Sequence, residues 1–151
     1  MNRPWLKIIF VLSILFIIIQ FIPVDKKNPA IISEIPAPVE VQKILQRSCY
    51  DCHSHQTVWP WYSHVAPVSW LIAHDVKEGR ENLNFSVWSD SDQRKQIKIF
   101  EEIQEVIEKK EMPLTTYLWM HPDARLDIND QMILKAWLMG GQTENKNISV
   151  Q

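Results

Sequence analysis

The sequence predicts an all-helical domain of about four helices, preceded by an apolar helix at the amino terminus. Apolar residues recur at helical spacing in four segments of the 151-residue chain, whereas no alternating apolar run is long enough for a sheet. Nine prolines and three glycines argue against a low-complexity protein. The net charge of -2 gives no indication of nucleic-acid binding.

Residues 1–23 are predicted to form a transmembrane anchor. The run from Ile8 to Ile22 is apolar except for Ser13 and Gln20, and its flanking residues extend it to the ~20 residues that cross a bilayer. A cleaved signal peptide is the alternative, but the bulky residues that follow the run offer no cleavage site of small residues. The sequence therefore favours an uncleaved anchor.

The rest of the chain divides into three parts. Residues 24–38 are punctuated by prolines and predict an extended linker, residues 39–141 predict the helical domain, and residues 142–151 predict a flexible tail. The four predicted helices run from Val39 to Cys49, from Pro67 to Gly79, from Asp90 or Asp92 to about Glu111, and from an Asp127 cap to Gly140.

The segment Cys49-Tyr-Asp-Cys52-His53 has the C-x-x-C-H pattern of haem attachment. Two thiols at this spacing can each add to one vinyl group of a porphyrin, and the adjacent histidine can then bind the iron. The sequence predicts one covalently attached haem c, held by Cys49 and Cys52 and ligated by His53.

The cysteine pair has three other interpretations. A thioredoxin-like redox site is disfavoured because no βαβ pattern surrounds the pair. A disulfide between two cysteines three positions apart would constrain almost nothing. A zinc site is the main alternative, because nearby histidines could complete four ligands; the candidates are His53, His55, His64 and His74.

Met112 is the predicted second iron ligand. It lies in a Met-Pro loop after the third helix, and a thioether ligand raises the reduction potential, which suits electron transfer. His121 is the alternative ligand. Trp59, Trp61 and Trp70 are predicted to line the haem crevice; the alternative is that they pack in the core without contacting haem. Three further side chains are candidates for contacting the haem propionates: Arg80, Trp88 and Arg125.

Several stretches resemble the small haem-binding-domain family of c-type cytochromes found in bacteria of the Bacteroidetes type. They cover roughly residues 35–140 and comprise Cys49–His55, Trp59–Trp70, Gly79–Trp88, Glu111–Pro113, Tyr117 and His121–Leu126. The resemblance implies a cytochrome-c-like fold in which the first and last helices of the domain pack together. It also implies a single covalent haem with Cys49, Cys52, His53 and Met112 in the roles given above.

The combined expectation is a membrane-anchored cytochrome that transfers single electrons in the periplasm. It would be a single-pass protein of the bacterial inner membrane, with its amino terminus in the cytoplasm and its helix in the lipid bilayer, and its partners would be redox proteins in or at the membrane. No acid–base or nucleophile constellation accompanies the motif, so an enzyme is not predicted. The alternatives are a haem-based sensor or ligand-binding module with an open or exchangeable sixth iron position, a weak peroxidase-like activity, and a zinc-binding module.

Overall fold

The computed structural model describes residues 3–88 and 93–148, with side chains except those of residues 93 and 141–148. The regular secondary structure of these residues is helical, as predicted, apart from one isolated bridge between Ser33 and Val87. Its α-helices are α1 (Pro4–Ile19), α2 (Val39–Ser48), α3 (Tyr50–His53), α4 (Val68–Asn82), α5 (Gln93–Glu108), α6 (Thr115–Leu118) and α7 (Ile128–Ile148). Short 3₁₀ turns occupy Trp61–His64 and Pro122–Ala124.

The core lies between α2, α5 and α7. The helix α7 packs against both α2 and α5, and it contributes the buried Leu134 and Leu138. The helix α2 contributes Leu45, and α5 contributes Phe100. The predicted packing of the first helix of the domain against the last is therefore confirmed, and α3 is held separately against α4.

The start of α7 is fixed by the pair of aspartates that the sequence indicated. The Asp127 carboxylate accepts a hydrogen bond from the backbone N–H of Asp130 at 2.7 Å, and the Asp130 carboxylate accepts one from the N–H of Asp127 at 3.1 Å. This reciprocal pairing satisfies two N–H groups at the helix end that would otherwise lack partners. Asp130 also forms an ion pair with Arg47 of α2, so the cap ties α7 to the helix that precedes the cysteine motif.

Two predicted helix ends were wrong, because both were placed at glycines. The helix α4 continues past Gly79 to Asn82, and α7 continues through Gly140 to Ile148. A glycine inside a helix costs only about 1 kcal/mol, which is too little to end the helix by itself. The predicted starts of α5 at Asp90 or Asp92 and residues 149–151 of the predicted tail lie outside the described residues.

The helix α5 ends at Glu108. Two residues later, Lys110 adopts the left-handed backbone conformation, with a φ of 57°. The N–H of Glu111 donates to the carbonyl of Val106 at 2.9 Å, and the N–H of Lys110 donates to the carbonyl of Ile107 at 3.0 Å. These two bonds form a Schellman motif, which reverses the chain direction at a helix end. The reversal brings Met112 back towards the last turn of α5, where its N–H donates to the Val106 carbonyl at 3.3 Å.

Replacing Lys110 with glycine is expected to stabilise the protein by about 0.5–1 kcal/mol, because glycine adopts positive φ without a steric penalty from Cβ. Urea denaturation of the two proteins measures the difference. Lys109→Gly is the control: this residue precedes the left-handed position and pairs with Glu105, so its replacement should destabilise. A loss of stability in the Lys110 variant would contradict the left-handed backbone conformation of Lys110.

The predicted transmembrane anchor was wrong. Within residues 3–23 the structure has the 16-residue helix α1, whose length of about 24 Å is less than the ~30 Å hydrocarbon core of a bilayer. After Ile19 the backbone hydrogen bonds change to the i→i−3 pattern, and Pro23 has no N–H to continue them. The Gln20 side chain donates to the Ala66 carbonyl at 3.2 Å and accepts from the Ala66 N–H at 2.8 Å. Of the helices in the described part of the chain, none combines the length and apolar character that a membrane crossing needs. The prediction of a single-pass inner-membrane protein depended on such a helix and was also wrong.

The segment predicted as a linker is extended, and it also packs against the helical domain. The N–H groups of Ile32 and Ser33 donate to the carbonyl of Ser86, and the N–H of Ile35 donates to the carbonyl of Phe85. The side chain of Ile35 is buried in the core. Prolines in the sequence indicate an extended backbone, but they do not indicate whether that backbone finds hydrogen-bond partners.

Candidate functional site

The cysteine motif forms a tight helical turn directly after α2. The N–H of Cys49 donates to the Leu45 carbonyl at 2.8 Å, and the N–H of His53 donates to the Cys49 carbonyl at 2.9 Å. Tyr50 points into the core and stacks on Phe85 with ring centroids 5.4 Å apart. With Tyr50 directed inwards, Cys49, Cys52 and His53 all line one cavity.

His53 is held in one tautomer by the carboxyl-terminal end of α4. Its Nδ1 lies 2.9 Å from the Gly79 carbonyl and 3.1 Å from the Leu83 carbonyl. Carbonyl oxygens only accept hydrogen bonds, so Nδ1 must carry the proton and Nε2 keeps a free lone pair. Burial lowers the pKa of His53 below its usual value, although the two backbone hydrogen bonds oppose this shift. The side chain is therefore a neutral, oriented imidazole able to bind a metal through Nε2.

Gly79 allows α4 to approach the motif closely. A Cβ atom at this position would lie 2.6 Å from the backbone oxygen of Cys52 and 3.1 Å from its carbonyl carbon. The absence of a side chain is thus what lets the Gly79 carbonyl reach the His53 ring. The sequence analysis placed Gly79 at the end of a helix and missed this role. A single glycine inside a segment of helix-forming residues is the sequence feature that could have indicated a close contact there.

Both cysteines are free thiols in this structure. Burial raises the pKa of Cys49 to about 12, and the neighbouring Cys52 adds to the shift. Burial also raises the pKa of Cys52 to about 12, with further contributions from the Asp51 and Asp75 carboxylates. At neutral pH the two groups are therefore protonated, and binding zinc would require removing both protons.

The zinc alternative gains no support from the positions of the histidines. His55 Nδ1 lies 2.9 Å from the Ala30 carbonyl, and His64 Nδ1 lies 2.7 Å from the Lys26 ammonium. His74 is paired instead with Glu78 on the exposed side of α4. Within residues 3–88 and 93–140, no group of three or more His, Cys, Asp or Glu side chains could hold a metal ion.

Two adjoining cavities meet at the motif. The larger, of about 380 Å³, is lined mainly by apolar side chains of α2, α5 and α7, and its volume lies within the ~300–1,000 Å³ range of ligand pockets. The smaller, of about 270 Å³, lies beside Cys52 and α4. Both are bordered by the same set of residues: Ser48, Cys49, His53, Asn82, Met112 and Pro113.

Met112 is thus brought into the same cavities as His53, as the sequence predicted for an iron ligand pair. Its half-buried thioether is the soft donor, and the His53 imidazole is the nitrogen donor, a combination found on haem iron. Ser48 is 6 % exposed, and its hydroxyl has no hydrogen-bond partner among the described residues.

Tyr117 completes the polar side of the smaller cavity, and the sequence analysis assigned it no role. Its hydroxyl donates to the Asp51 carboxylate at 2.7 Å, and Asp51 also accepts from the N–H of Val58 at 2.9 Å. Burial, followed by the hydrogen bond to Asp51, raises the pKa of Tyr117 well above its usual value. The phenol therefore stays protonated and ties α6 to the motif.

His121, the alternative ligand, is not among the residues that line the two cavities. Its ring stacks on Tyr117 at 4.3 Å, and its Nε2 is hydrogen-bonded to the Tyr62 hydroxyl at 2.6 Å. A swing of His121 towards His53 would break both interactions. The geometry favours Met112 over His121.

The three tryptophans predicted to wall the crevice do not line either cavity. Trp61 is 74 % exposed, whereas Trp59 and Trp70 are half-buried. Apolar side chains of α5 line the larger cavity instead, together with Leu134 of α7. Of the predicted propionate contacts, Trp88 stacks on Phe100 and, together with Arg80, also lines a cavity of about 320 Å³. Arg125 is exposed.

Comparison with known proteins agrees with this geometry. Residues 14–140 match the family model described as a haem-binding domain, a range that contains the motif, α4, α5 and Met112. No curated protein and no solved structure matches the chain significantly. Because the matched range covers most of the 151 residues, the chain belongs to the haem-binding domain family.

Proposed function

We propose that this protein is a c-type cytochrome that binds one haem covalently and carries single electrons. The observation that carries the proposal is the setting of His53. Two backbone carbonyls fix its Nδ1 proton, its Nε2 is free, and it shares a cavity with Met112 and two unpaired thiols. A haem iron between an imidazole and a thioether is a known arrangement for electron transfer.

The thiols of Cys49 and Cys52 would form the covalent link. Each S–H would add across one vinyl double bond, so that a C–S bond forms and the thiol hydrogen passes to the terminal vinyl carbon. No electron is gained or lost, and no oxidant is needed. Both thiols are unpaired, so neither is held in a disulfide that would have to be reduced before the addition.

The remaining residues would set the iron's properties. Bound haem supplies one-electron chemistry between ferric and ferrous iron. His53 and Met112 would bind the iron, and a thioether ligand favours the ferrous state and so raises the potential. Phe85, Ile103 and Leu134 line the larger cavity and would exclude water, which also destabilises the more highly charged ferric form.

The partners we propose are redox proteins with basic surfaces. Asp75 and Glu78 line the smaller cavity beside Cys52, where they give its rim a negative charge. Electrostatic complementarity at such a rim accelerates encounter and orients a partner more than it adds affinity. The chain is an electron carrier in this proposal and not an enzyme.

Serine variants of the two cysteines test the covalent link. Each single variant, Cys49→Ser or Cys52→Ser, should retain haem after denaturation through the remaining thioether. Its denatured absorption band should move to longer wavelength, because one vinyl group stays conjugated with the ring. The double variant should release essentially all of its haem on denaturation. Absorption spectra and haem staining of denaturing gels measure these outcomes.

Ser48→Ala is the matched control, since Ser48 lines the same cavities but has no thiol. It reports any effect that a substitution in these cavities has on haem maturation. It should keep its haem through denaturation with the unshifted band. Release of haem from the denatured wild-type protein would exclude thioether attachment and leave a non-covalent haem protein. Retention by the double variant would assign the attachment to other residues.

A further inference from the structure

Met112 lies on a short segment that leaves α5 and leads directly into α6. At its start the segment is fixed to α5, since the N–H groups of Glu111 and Met112 both donate to the Val106 carbonyl, at 2.9 and 3.3 Å. Two residues, Pro113 and Leu114, separate Met112 from the first residue of α6. The position of Met112 therefore depends on where α6 is held as well as on the end of α5.

The helix α6 is a single turn that depends on contacts outside itself. It has four residues, and none of its side chains is fully buried. Isolated helices shorter than about 12–15 residues are marginal in water, so a single turn needs an external restraint. The Tyr117 hydroxyl supplies one by donating to the Asp51 carboxylate at 2.7 Å, a bond that the charge of the acceptor strengthens.

Asp51 is a fixed acceptor because two of its other atoms are also engaged. Its second carboxylate oxygen accepts from the N–H of Val58 at 2.9 Å, and its backbone carbonyl accepts from the Thr57 hydroxyl at 2.7 Å. The Thr57 hydroxyl oxygen in turn accepts from Arg80 at 2.8 Å. These bonds hold Asp51 in place, so that α6 is restrained against a rigid partner.

The acceptor also belongs to the turn that carries the proposed haem-binding residues. Asp51 and His53 both lie in α3, and the side chains of His53, Met112 and Tyr117 line the smaller cavity together. The bond from Tyr117 to Asp51 therefore connects the segment that supports one proposed iron ligand with the turn that supports the other.

We infer that Tyr117 is a positioning residue for Met112: its bond to Asp51 holds α6 against the motif and so keeps the thioether at the iron of a bound haem. Without this bond, α6 separates from the motif more often, and Met112 leaves the iron more often. Tyr117 thus governs how readily the sixth iron position opens to an external ligand. The inference rests on the proposed ligation by His53 and Met112 and adds the residue that maintains it.

Carbon monoxide binding to the reduced, haem-loaded full chain measures this opening, because the gas binds only when Met112 has left the iron. Tyr117→Phe keeps the ring and removes the hydroxyl. Carbon monoxide should then bind about tenfold to a hundredfold faster, which is the effect of losing a hydrogen bond to a charged group. Met112→Ala gives the rate of the open position and sets the upper limit. Tyr62→Phe is the matched control, because its hydroxyl bonds to His121 beyond α6 and not to the motif.

Repeating the substitution in an Asp51→Ala background separates the bond from any general effect of the tyrosine. That background has no carboxylate to accept from the hydroxyl, so Tyr117→Phe should change the rate little there. Three results would overturn the inference: an unchanged rate in Tyr117→Phe, a full effect of this substitution in the Asp51→Ala background, or an equal acceleration in Tyr62→Phe.

Amide hydrogen exchange of the full chain without haem tests the restraint independently of iron ligation. The N–H groups of Leu118 and His121, which donate to carbonyls within and next to α6, should exchange faster in Tyr117→Phe. The N–H of Cys49, which donates to a carbonyl of α2, should exchange as in the wild type. Unchanged exchange at Leu118 and His121 would sink the restraint itself. If the wild type binds carbon monoxide as fast as Met112→Ala, the proposed ligation fails, and faster exchange in Tyr117→Phe still supports the restraint on α6.

Discussion

Replacing Gly79 with alanine is expected to destabilise the haem domain by about 2 kcal/mol. In an exposed helix the same change would stabilise by up to about 1 kcal/mol, because alanine is the better helix former. Here the added Cβ would lie 2.6 Å from the Cys52 carbonyl oxygen, and that backbone atom cannot move aside as a flexible side chain could. Overpacking of this kind typically costs 1–3 kcal/mol, which outweighs the gain in helix propensity.

The displacement of α4 should also disturb His53, the proposed iron ligand. The Gly79 carbonyl accepts the His53 Nδ1 proton, so separating the two elements weakens the bond that orients the imidazole. Urea denaturation of the haem-loaded protein measures the stability, and the yield of haem-loaded protein measures maturation. Gly140→Ala is the control, since a Cβ there meets nothing within 4 Å, and it should stabilise by about 0.5–1 kcal/mol. Equal effects of the two variants would contradict the close approach of α4 to the motif.

Removing the Met112 thioether is expected to have the largest effect on the redox properties. Met112→Ala should abolish the far-red charge-transfer band of methionine-ligated ferric haem. It should also lower the reduction potential, by about 0.1 V or more within the ~0.8 V range that axial ligands set. The reason is that a thioether ligand is a soft donor and stabilises ferrous iron.

Met120→Ala is the matched control for this experiment. Met120 is 55 % exposed and lines neither cavity at the motif, so its variant should keep the band and the potential of the wild type. Loss of the band in the Met120 variant instead would reassign the ligand. An unmodified wild-type protein that lacks the band and binds carbon monoxide readily would favour the alternative of a ligand-binding module with an open sixth position.

The features predicted correctly depend on residues close together in sequence. The Asp127 and Asp130 cap involves two residues of one helix turn, and the helical periods of α2, α5 and α7 are local patterns. The motif contains its own spacing, so Cys49 and His53 could be proposed as haem-binding residues without a fold, and those roles remain predictions.

The features that were missed depend on contacts between distant segments. The carbonyls that orient His53 lie 26 and 30 residues further along the chain, and the Tyr117 hydroxyl bonds to Asp51 across 66 residues. Periodicity contains no information about such pairings. The abundance of tryptophan led to the prediction that Trp61 lines the haem crevice, but this residue lies in a 3₁₀ turn and its side chain is exposed.

The error at the amino terminus has a similar origin. Hydropathy counted residues as far as Ile22, whereas the helix stops at Ile19. The neighbouring Gln20 side chain bonds to Ala66, a residue that no local pattern connects with it. A count of apolar residues therefore overestimated the length of the helix.

The mass of the denatured full-length chain, expressed in a host that matures c-type haem proteins, tests the central claim most directly. The account predicts one species whose mass equals that of the polypeptide plus one intact haem, because thiol addition to two vinyl groups eliminates no atoms. A denatured chain with the mass of the polypeptide alone, found together with free haem, would contradict covalent attachment through Cys49 and Cys52.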